Sequence, residues 1–309
     1  MATVLDGKAI AERIKAELLV QLEPRKNLSL LQTVRTAPQL RVLFFDTPAS
    51  QVYWHAQRRL AEQLGIATRG VGQTVADARN GCVQFHQQVT QGEVESVIDV
   101  WNRDARVHGI FVHQPLPEQL NAQSISAAID PRKDVEGIHP QNSARRFFAK
   151  ARIGSCTALA VMALIEEAMR QLRWPSLEGK EAVVVGHSEI VGRPVSMLLL
   201  DKLATTTICH IGTDRAGRLE AHVRRADVLV VAVGKPDTIK GAWIKPGAIV
   251  IDVGINVKNK QVVGDVEFEA AKERAGAISP VPGGVGPVTV MMVMKNTVEA
   301  YRLQRRGAA

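Results

Sequence analysis

The chain has 309 residues, of which 46% are hydrophobic and 23% charged, and it has a mean hydropathy of -0.02 and a formal net charge of +8. This composition excludes disordered, collagen-like and low-complexity proteins, and the length suffices for two domains of ordinary size. The apolar runs fall far short of the roughly 20 residues of a membrane-spanning helix. Charged residues also interrupt the N-terminal segment where a signal peptide needs an unbroken apolar stretch, so we expect a cytoplasmic protein without a membrane partner.

Neither the cysteines nor the positive charge indicates a specialised site. Cys82, Cys156 and Cys209 lie far apart without a C-x-x-C pair, which argues against a zinc site and a disulfide framework. Lysine and arginine occur singly or in pairs, whereas nucleic-acid binding favours basic runs interleaved with aromatic residues. We expect no metal and no nucleic-acid partner, and the charge is explained by solubility or by a small anionic ligand.

The first half of the chain alternates helices with short apolar strands. Helical spacing of apolar residues after Asp6 predicts a first helix, and the apolar run Leu40–Phe45 predicts a strand. Apolar residues in 53–64 and 94–102 are spaced as on one face of a helix, and the short apolar run Gly109–Val112 is typical of a buried strand. Such alternation predicts an α/β fold with parallel sheets, in which ligands bind beyond the carboxyl ends of the strands.

The second half shows the same alternation more clearly. A strand at 182–185, a glycine-bearing turn at 186–192, a helix at 194–203 and the strand Thr205–Cys209 form one βαβ unit.

The predicted sheet then continues towards the end of the chain. A helix at 215–225 and strands at 228–232 and 249–253 extend it, and a terminal helix is predicted at 288–303. We therefore expect a first domain at 1–150, joined by the terminal segment 288–309, and a second domain at 151–287.

The turn after the strand at 182–185 has the composition of a phosphate-binding loop. Gly186 and Gly192 flank Ser188 between a strand and a helix, where backbone N–H groups can face a phosphate. The spacing departs from G-x-G-x-x-G, so a plain turn is the alternative. Gly234 and Gly254 follow two further strands at the edge where a dinucleotide would lie, which favours binding.

Two stretches of the second half carry a family resemblance. The chain reads ADVLVVAVGKP at 226–236, IDVGIN at 251–256 and PVPGGVGPVT at 280–289. It resembles the methylenetetrahydrofolate dehydrogenase/cyclohydrolase family, known in bacteria as FolD, over almost its whole length. The resemblance implies two α/β domains around a cleft, the second a Rossmann-like doubly wound parallel sheet that binds NADP, with NAD as the alternative.

The same resemblance implies a homodimer that binds a reduced folate or a related pterin. Members of the family oxidise methylene-tetrahydrofolate by hydride transfer and then hydrolyse the methenyl product. By match, the implied catalytic residues are Tyr53, Gln57, His113 and Asp134, and the implied folate contacts are Ser50, Tyr53, Glu136, Gly283, Gly284 and Pro287. The implied cofactor contacts are Gly186, His187, Ser188, Gly192, Arg193, His210, Gly234, Gly254 and Ile255.

The departures from the family pattern concentrate around the folate pocket. Gln57 stands where the family has a lysine, His113 where it has a glutamine, and Glu136 where it has an aspartate. Hydride transfer needs alignment rather than a side-chain proton, whereas hydrolysis needs proton transfers that an amide cannot supply. We therefore predict dehydrogenase activity with weak or absent cyclohydrolase activity, unless His113 has taken over the proton transfer.

Two alternatives to this hypothesis remain open. The chain could be a catalytically impaired folate- or dinucleotide-binding paralogue, or it could be a dehydrogenase for another one-carbon pterin. Ile211 and Gly212 replace the serine and the basic residue that usually follow His210, which leaves the preference for NADP over NAD open.

Overall fold

The computed structural model describes residues 1–22, 37–148 and 152–306. It divides into two compact units. The N-terminal unit comprises Lys15–Gly154 and Val293–Ala309, and the C-terminal unit comprises Met1–Ile14 and Ser155–Met292.

The described residues form short strands and mostly short helices. The strands are β1 (Thr3–Val4), β2 (Leu40–Phe45), β3 (Gly70–Gly72), β4 (Gly81–Phe85), β5 (Gly109–Val112), β6 (Glu181–Val185), β7 (Thr205–Cys209), β8 (Val228–Val231), β9 (Ile249–Asp252), β10 (Asn256–Lys258), β11 (Gln261–Val263) and β12 (Ala277–Ile278). The α-helices are α1 (Gly7–Leu22), α2 (Pro48–Gln63), α3 (Gln91–Arg103), α4 (Ala122–Ala128), α5 (Pro140–Phe147), α6 (Cys156–Leu172), α7 (Gly192–Leu200), α8 (Ile211–Arg215), α9 (Leu219–Arg225), α10 (Phe268–Lys272) and α11 (Val285–Arg306).

The N-terminal unit is built on a four-stranded parallel sheet in the order β3-β4-β2-β5. All six residues of β2 are buried, as expected for a strand with neighbours on both sides and helices on both faces. One core cluster packs β2 and β4 against α3, where Trp101 is fully buried and its Nε1 donates to the Ala78 carbonyl at 2.9 Å. The carboxyl ends of β2 and β5 are adjacent, so the loops that follow them lie side by side.

The C-terminal unit is a six-stranded parallel sheet in the order β1-β12-β9-β8-β6-β7. The chain leaves β6 for β7 on one side and continues to β8 on the other side, so the strand order reverses at β6. In open α/β sheets a ligand binds in the crevice at such a reversal, beyond the carboxyl ends of the strands. The turn after β6 therefore occupies the position where a dinucleotide is expected.

The secondary structure confirms most predicted elements and corrects one. β2, β5 and β7 have the predicted bounds. The helix predicted at 215–225 is confirmed only from Leu219 onwards, because α8 ends at Arg215 and α9 begins at Leu219. Gly217 separates them with φ +66°, a left-handed conformation that interrupts a helix.

The division into units differs from the predicted domain boundary at the N-terminus. Thr3 and Val4 pair in parallel with Ala277 and Ile278, so the first residues extend the sheet of the C-terminal unit. Arg13 also forms an ion pair with Glu167 at 2.5 Å. A two-residue strand carries no periodic signal, which is why the sequence pattern misses this pairing. Residues 307–309 of the predicted terminal segment lie outside the described residues.

The three cysteines and the apolar composition of the described helices are relevant to thiol chemistry and to membrane insertion. Cys82, Cys156 and Cys209 are free and buried, and burial raises the pKa of the Cys82 thiol to about 11. None of the described helices combines the length and the apolar composition needed to cross a membrane.

Candidate active site

The helix α2 presents three predicted site residues along one face. Thr47 caps it by accepting a hydrogen bond from the Ser50 N–H at 3.1 Å, and Pro48 occupies its first turn. Ser50, Tyr53 and Gln57 follow at spacings of three and four residues, which places them on the same side of the helix. Ser50 and Gln57 are buried, and Tyr53 is half-buried.

His113, the first residue after β5, lies in a box of aromatic rings. Its ring centroid is 5.0 Å from that of Tyr53, 5.5 Å from that of Phe44 and 5.6 Å from that of Phe111. Burial among these rings lowers the pKa of His113 to about 3, because an imidazolium ion would lose its hydration there. His113 is therefore neutral at physiological pH.

Gln57 and His113 form a direct hydrogen-bonded pair. Gln57 Oε1 lies 2.8 Å from His113 Nε2. Since the amide oxygen only accepts, His113 Nε2 carries the proton and donates it. The Gln57 Nε2 group is buried, and no acceptor in the described part of the chain satisfies it. An unsatisfied buried donor at this position is available to a polar ligand.

The segment that carries Asp134 and Glu136 runs alongside β5. Ile110 pairs in parallel with Asp134, and the Ile110 N–H donates to the Lys133 carbonyl at 2.7 Å. This pairing brings the segment to the edge of the sheet where His113 lies.

Asp134 holds its own loop together. Its carboxylate accepts hydrogen bonds at 2.9 Å from the N–H groups of Gly137 and His139 and from Asn142 Nδ2. These contacts shape the turn that carries Glu136. Contact of Asp134 with a pterin stays a prediction.

Lys133 is a buried cation close to Asp134, and it is not among the site residues that the sequence analysis named. Its Nζ donates to the backbone carbonyls of Trp101, Asn102 and Asp104 at 2.8 to 2.9 Å. A cation at the end of α3 satisfies carbonyl groups that lack helical partners. All three donor positions of the ammonium group are thus engaged, and Lys133 does not replace the missing lysine at position 57.

Glu136 has an environment that favours its protonated form. Its side chain is buried, and burial together with the nearby Asp134 raises its pKa to about 8. At neutral pH the carboxyl group is therefore largely protonated and can donate a hydrogen bond as well as accept one.

We predict that Glu136→Gln removes a pH dependence of stability. Between about pH 4.5 and pH 8 the folded state of the wild type binds the Glu136 proton and the unfolded state releases it. The free energy of unfolding therefore falls as the pH rises, by up to about 1.4 kcal/mol for each pH unit. Urea unfolding at about pH 5.5, 7 and 8.5 should show a flatter profile for the Glu136→Gln variant. The same change at the exposed Glu118 serves as the control, and parallel profiles for all three proteins would contradict the prediction.

The turn after β6 leaves no room for a side chain at its two glycines. Gly186 adopts φ +121°, and a Cβ atom there would lie 2.2 Å from the Ala232 carbonyl oxygen. A Cβ atom on Gly192 would lie 2.1 Å from the Gly186 carbonyl oxygen. Ser188 Oγ accepts from the Val191 N–H at 3.1 Å, which fixes the turn from within. The turn leads directly into α7, and a glycine cradle before a helix N-terminus fits the diphosphate of a dinucleotide.

Arg193 is an exposed cation in the first turn of α7. Its guanidinium group pairs with the exposed Glu189 at 3.3 Å. A surface pair of this kind is weak, so Arg193 is free to turn towards a bound phosphate.

The fold brings His187 and His210 together, although they are far apart in sequence. Their ring centroids are 5.4 Å apart. His210 follows β7 directly, and its Nδ1 accepts from the Gly212 N–H at 3.1 Å. This strand end is where dinucleotide-binding folds place a carboxylate for the ribose hydroxyl of NAD. Imidazole groups in its place suit the 2′-phosphate of NADP.

The remaining predicted contacts lie on loops and at one helix start of the C-terminal unit. Gly234 follows β8 with φ +70°, and Gly254 and the exposed Ile255 follow β9. Gly283 and Gly284 precede α11, and Pro287 lies in the first turn of that helix.

The turn at Gly283 and Gly284 is packed against the start of α1. The Gly7 N–H donates to the Gly283 carbonyl at 3.0 Å, and a Cβ atom on Gly7 would lie 1.8 Å from the Gly284 carbonyl oxygen. The close approach explains why glycine occupies position 7.

The sheet reversal at β6, the closed glycine turn and the glycine-bearing loops define the C-terminal unit as an NAD(P)-binding α/β fold. Residues 155–305 match the model of the tetrahydrofolate dehydrogenase/cyclohydrolase NAD(P)-binding domain, and residues 5–136 match that of the catalytic domain. The chain belongs to the tetrahydrofolate dehydrogenase/cyclohydrolase family.

Relatives and solved structures agree with this assignment over the full length. The chain is 44% identical over 309 residues to bifunctional protein FolD 2 of Geobacter sulfurreducens, covering 99% of both chains. The crystal structure of the bifunctional FolD enzyme of Campylobacter jejuni superposes with a TM-score of 0.84 at 35% identity, covering 98% of this chain and 99% of that one. The Trypanosoma brucei FolD, solved with NADP cofactor and an inhibitor, gives a TM-score of 0.84 at 34% identity, covering 99% of each chain.

Proposed function

We propose that this protein is an NADP-dependent 5,10-methylenetetrahydrofolate dehydrogenase. The full-length match to both family domains carries the proposal, because the catalytic and the NAD(P)-binding models together span residues 5–305 with a short gap. The geometry of the C-terminal unit supports it, since the closed glycine turn and the imidazole pair fit a dinucleotide with a 2′-phosphate.

The side chains of the N-terminal unit serve binding and orientation. NADP, when bound, supplies the nicotinamide ring that accepts the hydride. The half-buried ring of Tyr53 offers an apolar face on which the aminobenzoate ring can stack. The unsatisfied Gln57 Nε2 and the protonated Glu136 offer hydrogen-bond donors to polar edges of the pterin. Holding the substrate in one orientation is the main requirement of hydride transfer.

We further propose that hydrolysis of the methenyl product is weak. General acid–base catalysis is most effective when the catalytic group titrates near the working pH. Gln57 does not titrate, and His113 with its pKa of about 3 remains a neutral, weak base. The low pKa argues against the interpretation in which His113 takes over the proton transfer, and its hydrogen bond to Gln57 supports a structural role.

The direct test is an assay of the wild-type protein with methylene-tetrahydrofolate and NADP. We expect growth of the NADPH absorbance band together with accumulation of methenyl-tetrahydrofolate, because oxidation outpaces hydrolysis. Binding of both ligands without NADPH formation would instead favour an impaired binding paralogue. Activity only with tetrahydromethanopterin derivatives would favour a dehydrogenase for another one-carbon pterin.

We propose that the protein acts as a cytoplasmic homodimer, as its family resemblance implies. The three free, buried cysteines are consistent with a reducing compartment. The hairpin of β10 and β11 exposes Val257 and Val262, which supplies apolar surface for a second copy. Light scattering during gel filtration measures the mass and decides the oligomeric state.

A further inference from the structure

Two buried aspartates connect the loops that follow β8 and β9. Asp265 is fully buried, and Asp252 is almost fully buried. We call this pair the carboxylate clasp. Neither residue has a role in the sequence-based predictions, although Asp252 lies in the IDVGIN stretch, because both acquire their partners only through the fold.

Asp265 binds the loop after β8 through three consecutive backbone groups. Its Oδ2 accepts from the N–H groups of Val233 and Gly234 at 2.7 and 3.0 Å, and its Oδ1 accepts from the Lys235 N–H at 2.9 Å. Successive N–H groups that converge on one anion form a nest, which holds the backbone in a single conformation. The loop that contains Gly234 is therefore shaped around this carboxylate.

The same carboxylate also binds the segment after β9. Asp265 Oδ1 accepts from Asn256 Nδ2 at 2.8 Å. A Cβ atom on Gly254 would lie 2.3 Å from the Asp265 Cγ atom, so the backbone at Gly254 approaches the carboxylate closely. One buried side chain thus sets both loops at the carboxyl ends of β8 and β9.

Asp252 holds Asp265 in place. Its carboxylate accepts from the N–H groups of Asp265, Val266 and Gly254 at 2.9 to 3.0 Å. A Cβ atom on Gly264 would lie 2.0 Å from Asp252 Oδ2, so only glycine fits beside it. Rigid support of this kind lets a side chain hold its partners within a narrow geometry.

The position of the clasp relates it to one half of a dinucleotide. The adenosine half of a dinucleotide lies over the strand whose end faces the ribose hydroxyl, which is β7 with His210. The other half lies across the reversal at β6, over the ends of β8 and β9. The clasp therefore supports the nicotinamide side of the crevice and leaves the adenosine side untouched.

We propose that Asp265, supported by Asp252, is a positioning residue that sets the two loops on which the nicotinamide half of the cofactor lies. This inference rests on the proposed function, because it assumes that a dinucleotide occupies the crevice. In the variant Asp265→Asn, one oxygen is replaced by an NH₂ group that faces backbone N–H donors. The nest then loses acceptors, and the loops relax.

The test compares two ligands by titration calorimetry. NADP spans both halves of the crevice, whereas adenosine 2′,5′-bisphosphate occupies the adenosine side alone. For Asp265→Asn we expect the Kd for NADP to rise at least about 10-fold, which corresponds to roughly 1.4 kcal/mol, while the Kd for the bisphosphate stays within about 2-fold. Partial unfolding of the variant would instead weaken the binding of both ligands by the same factor.

Asp227→Asn is the matched control. Asp227 accepts from the Glu181 N–H at 3.0 Å and from Lys245 Nζ at 2.7 Å. It lies just before β8, at the amino ends of the strands and therefore away from the crevice. We expect this variant to bind both ligands as the wild type does. If Asp265→Asn does not fold, Asn256→Ala removes the hydrogen bond from Asn256 to Asp265, together with a long one to the Val263 carbonyl at 3.5 Å. This variant should raise the Kd for NADP selectively by a smaller factor, about 3-fold.

The outcomes separate this inference from the proposed function. Equal weakening of both ligands, or no weakening of either, in the folded variants would overturn the role of Asp265. Failure of the wild type to bind NADP would overturn it as well. A wild type that binds NADP but does not oxidise methylene-tetrahydrofolate would refute the dehydrogenase and leave the positioning role supported by the ligand comparison.

Discussion

The double variant Gln57→Lys with His113→Gln should gain hydrolysis of methenyl-tetrahydrofolate by at least about 100-fold over the wild type, the lower range of general acid–base catalysis. In the wild type, Gln57 Oε1 accepts from His113 Nε2 inside an aromatic box, and neither group exchanges protons near neutral pH. A lysine at position 57 supplies a titratable amine. A glutamine at position 113 supplies an amide oxygen that accepts from this amine.

The two positions have to change together. A lysine at position 57 alone would place a cation among apolar rings, and His113 could accept from it only after moving its proton from Nε2 to Nδ1. A glutamine at position 113 against Gln57 would add no titratable group. We therefore expect either single variant to remain close to the wild-type hydrolysis rate and the Gln57→Lys variant to lose stability. Non-additivity of this kind is typical of residues in direct contact.

The measurement is the decay of methenyl-tetrahydrofolate absorbance, followed for the wild type, both single variants and the double variant. Gln63→Lys adds a lysine at an exposed position of the same helix and controls for a general effect of charge. If a folded double variant that still binds folate hydrolyses the substrate no faster than the wild type, the two substitutions are not the cause of the weak activity.

Gly192→Ala should weaken NADP binding by about 100-fold, or roughly 2.7 kcal/mol. The new Cβ atom would lie 2.1 Å from the Gly186 carbonyl oxygen and 2.9 Å from the His187 Cα atom, so the backbone of the turn has to move apart. The N–H groups at the start of α7 then no longer converge on the diphosphate. We expect the adenosine 2′,5′-bisphosphate to lose affinity too, in contrast to the selective effect at Asp265.

Gly92→Ala provides the matched control for this prediction. Gly92 lies in α3 of the N-terminal unit, and no atom lies within 4 Å of a Cβ atom placed there. Alanine in a helix stabilises it by up to about 1 kcal/mol relative to glycine, so this variant should bind NADP normally and unfold at a slightly higher temperature. NADP binding by Gly192→Ala at wild-type affinity would show that the turn does not hold the diphosphate.

Local sequence signals predicted the elements that build both sheets. The apolar runs of β2, β5 and β7 are short and bounded by polar or glycine residues, so their extent can be read directly from the chain. Signals of this kind fail where an element is too short for periodicity. The two-residue strands β1 and β12 are defined only by their pairing with each other and with β9.

In the candidate site, the sequence likewise shows the residue types, and the fold sets their protonation states. The residue types at positions 57, 113 and 136 are visible in the sequence, and their departure from the family pattern already predicted altered chemistry. Their protonation states are not visible, because pKa values depend on burial and on neighbours that are distant in the chain. Gln57 and His113 are 56 residues apart, yet the fold brings them within hydrogen-bond distance and buries the histidine, and this burial keeps the imidazole neutral.

The sequence by itself therefore determined the α/β class and the family to which the chain is similar, and it predicted the glycine turn as a phosphate site, because periodicity and short motifs act over a few residues. The tertiary structure alone decided that Asp134 stabilises its own loop and that Lys133 satisfies carbonyl groups at the end of α3. It also decided that His187 and His210 lie together and that Asp265 supports two loops at once. These roles arise from hydrogen bonds and burial between segments that only the folded chain brings into contact.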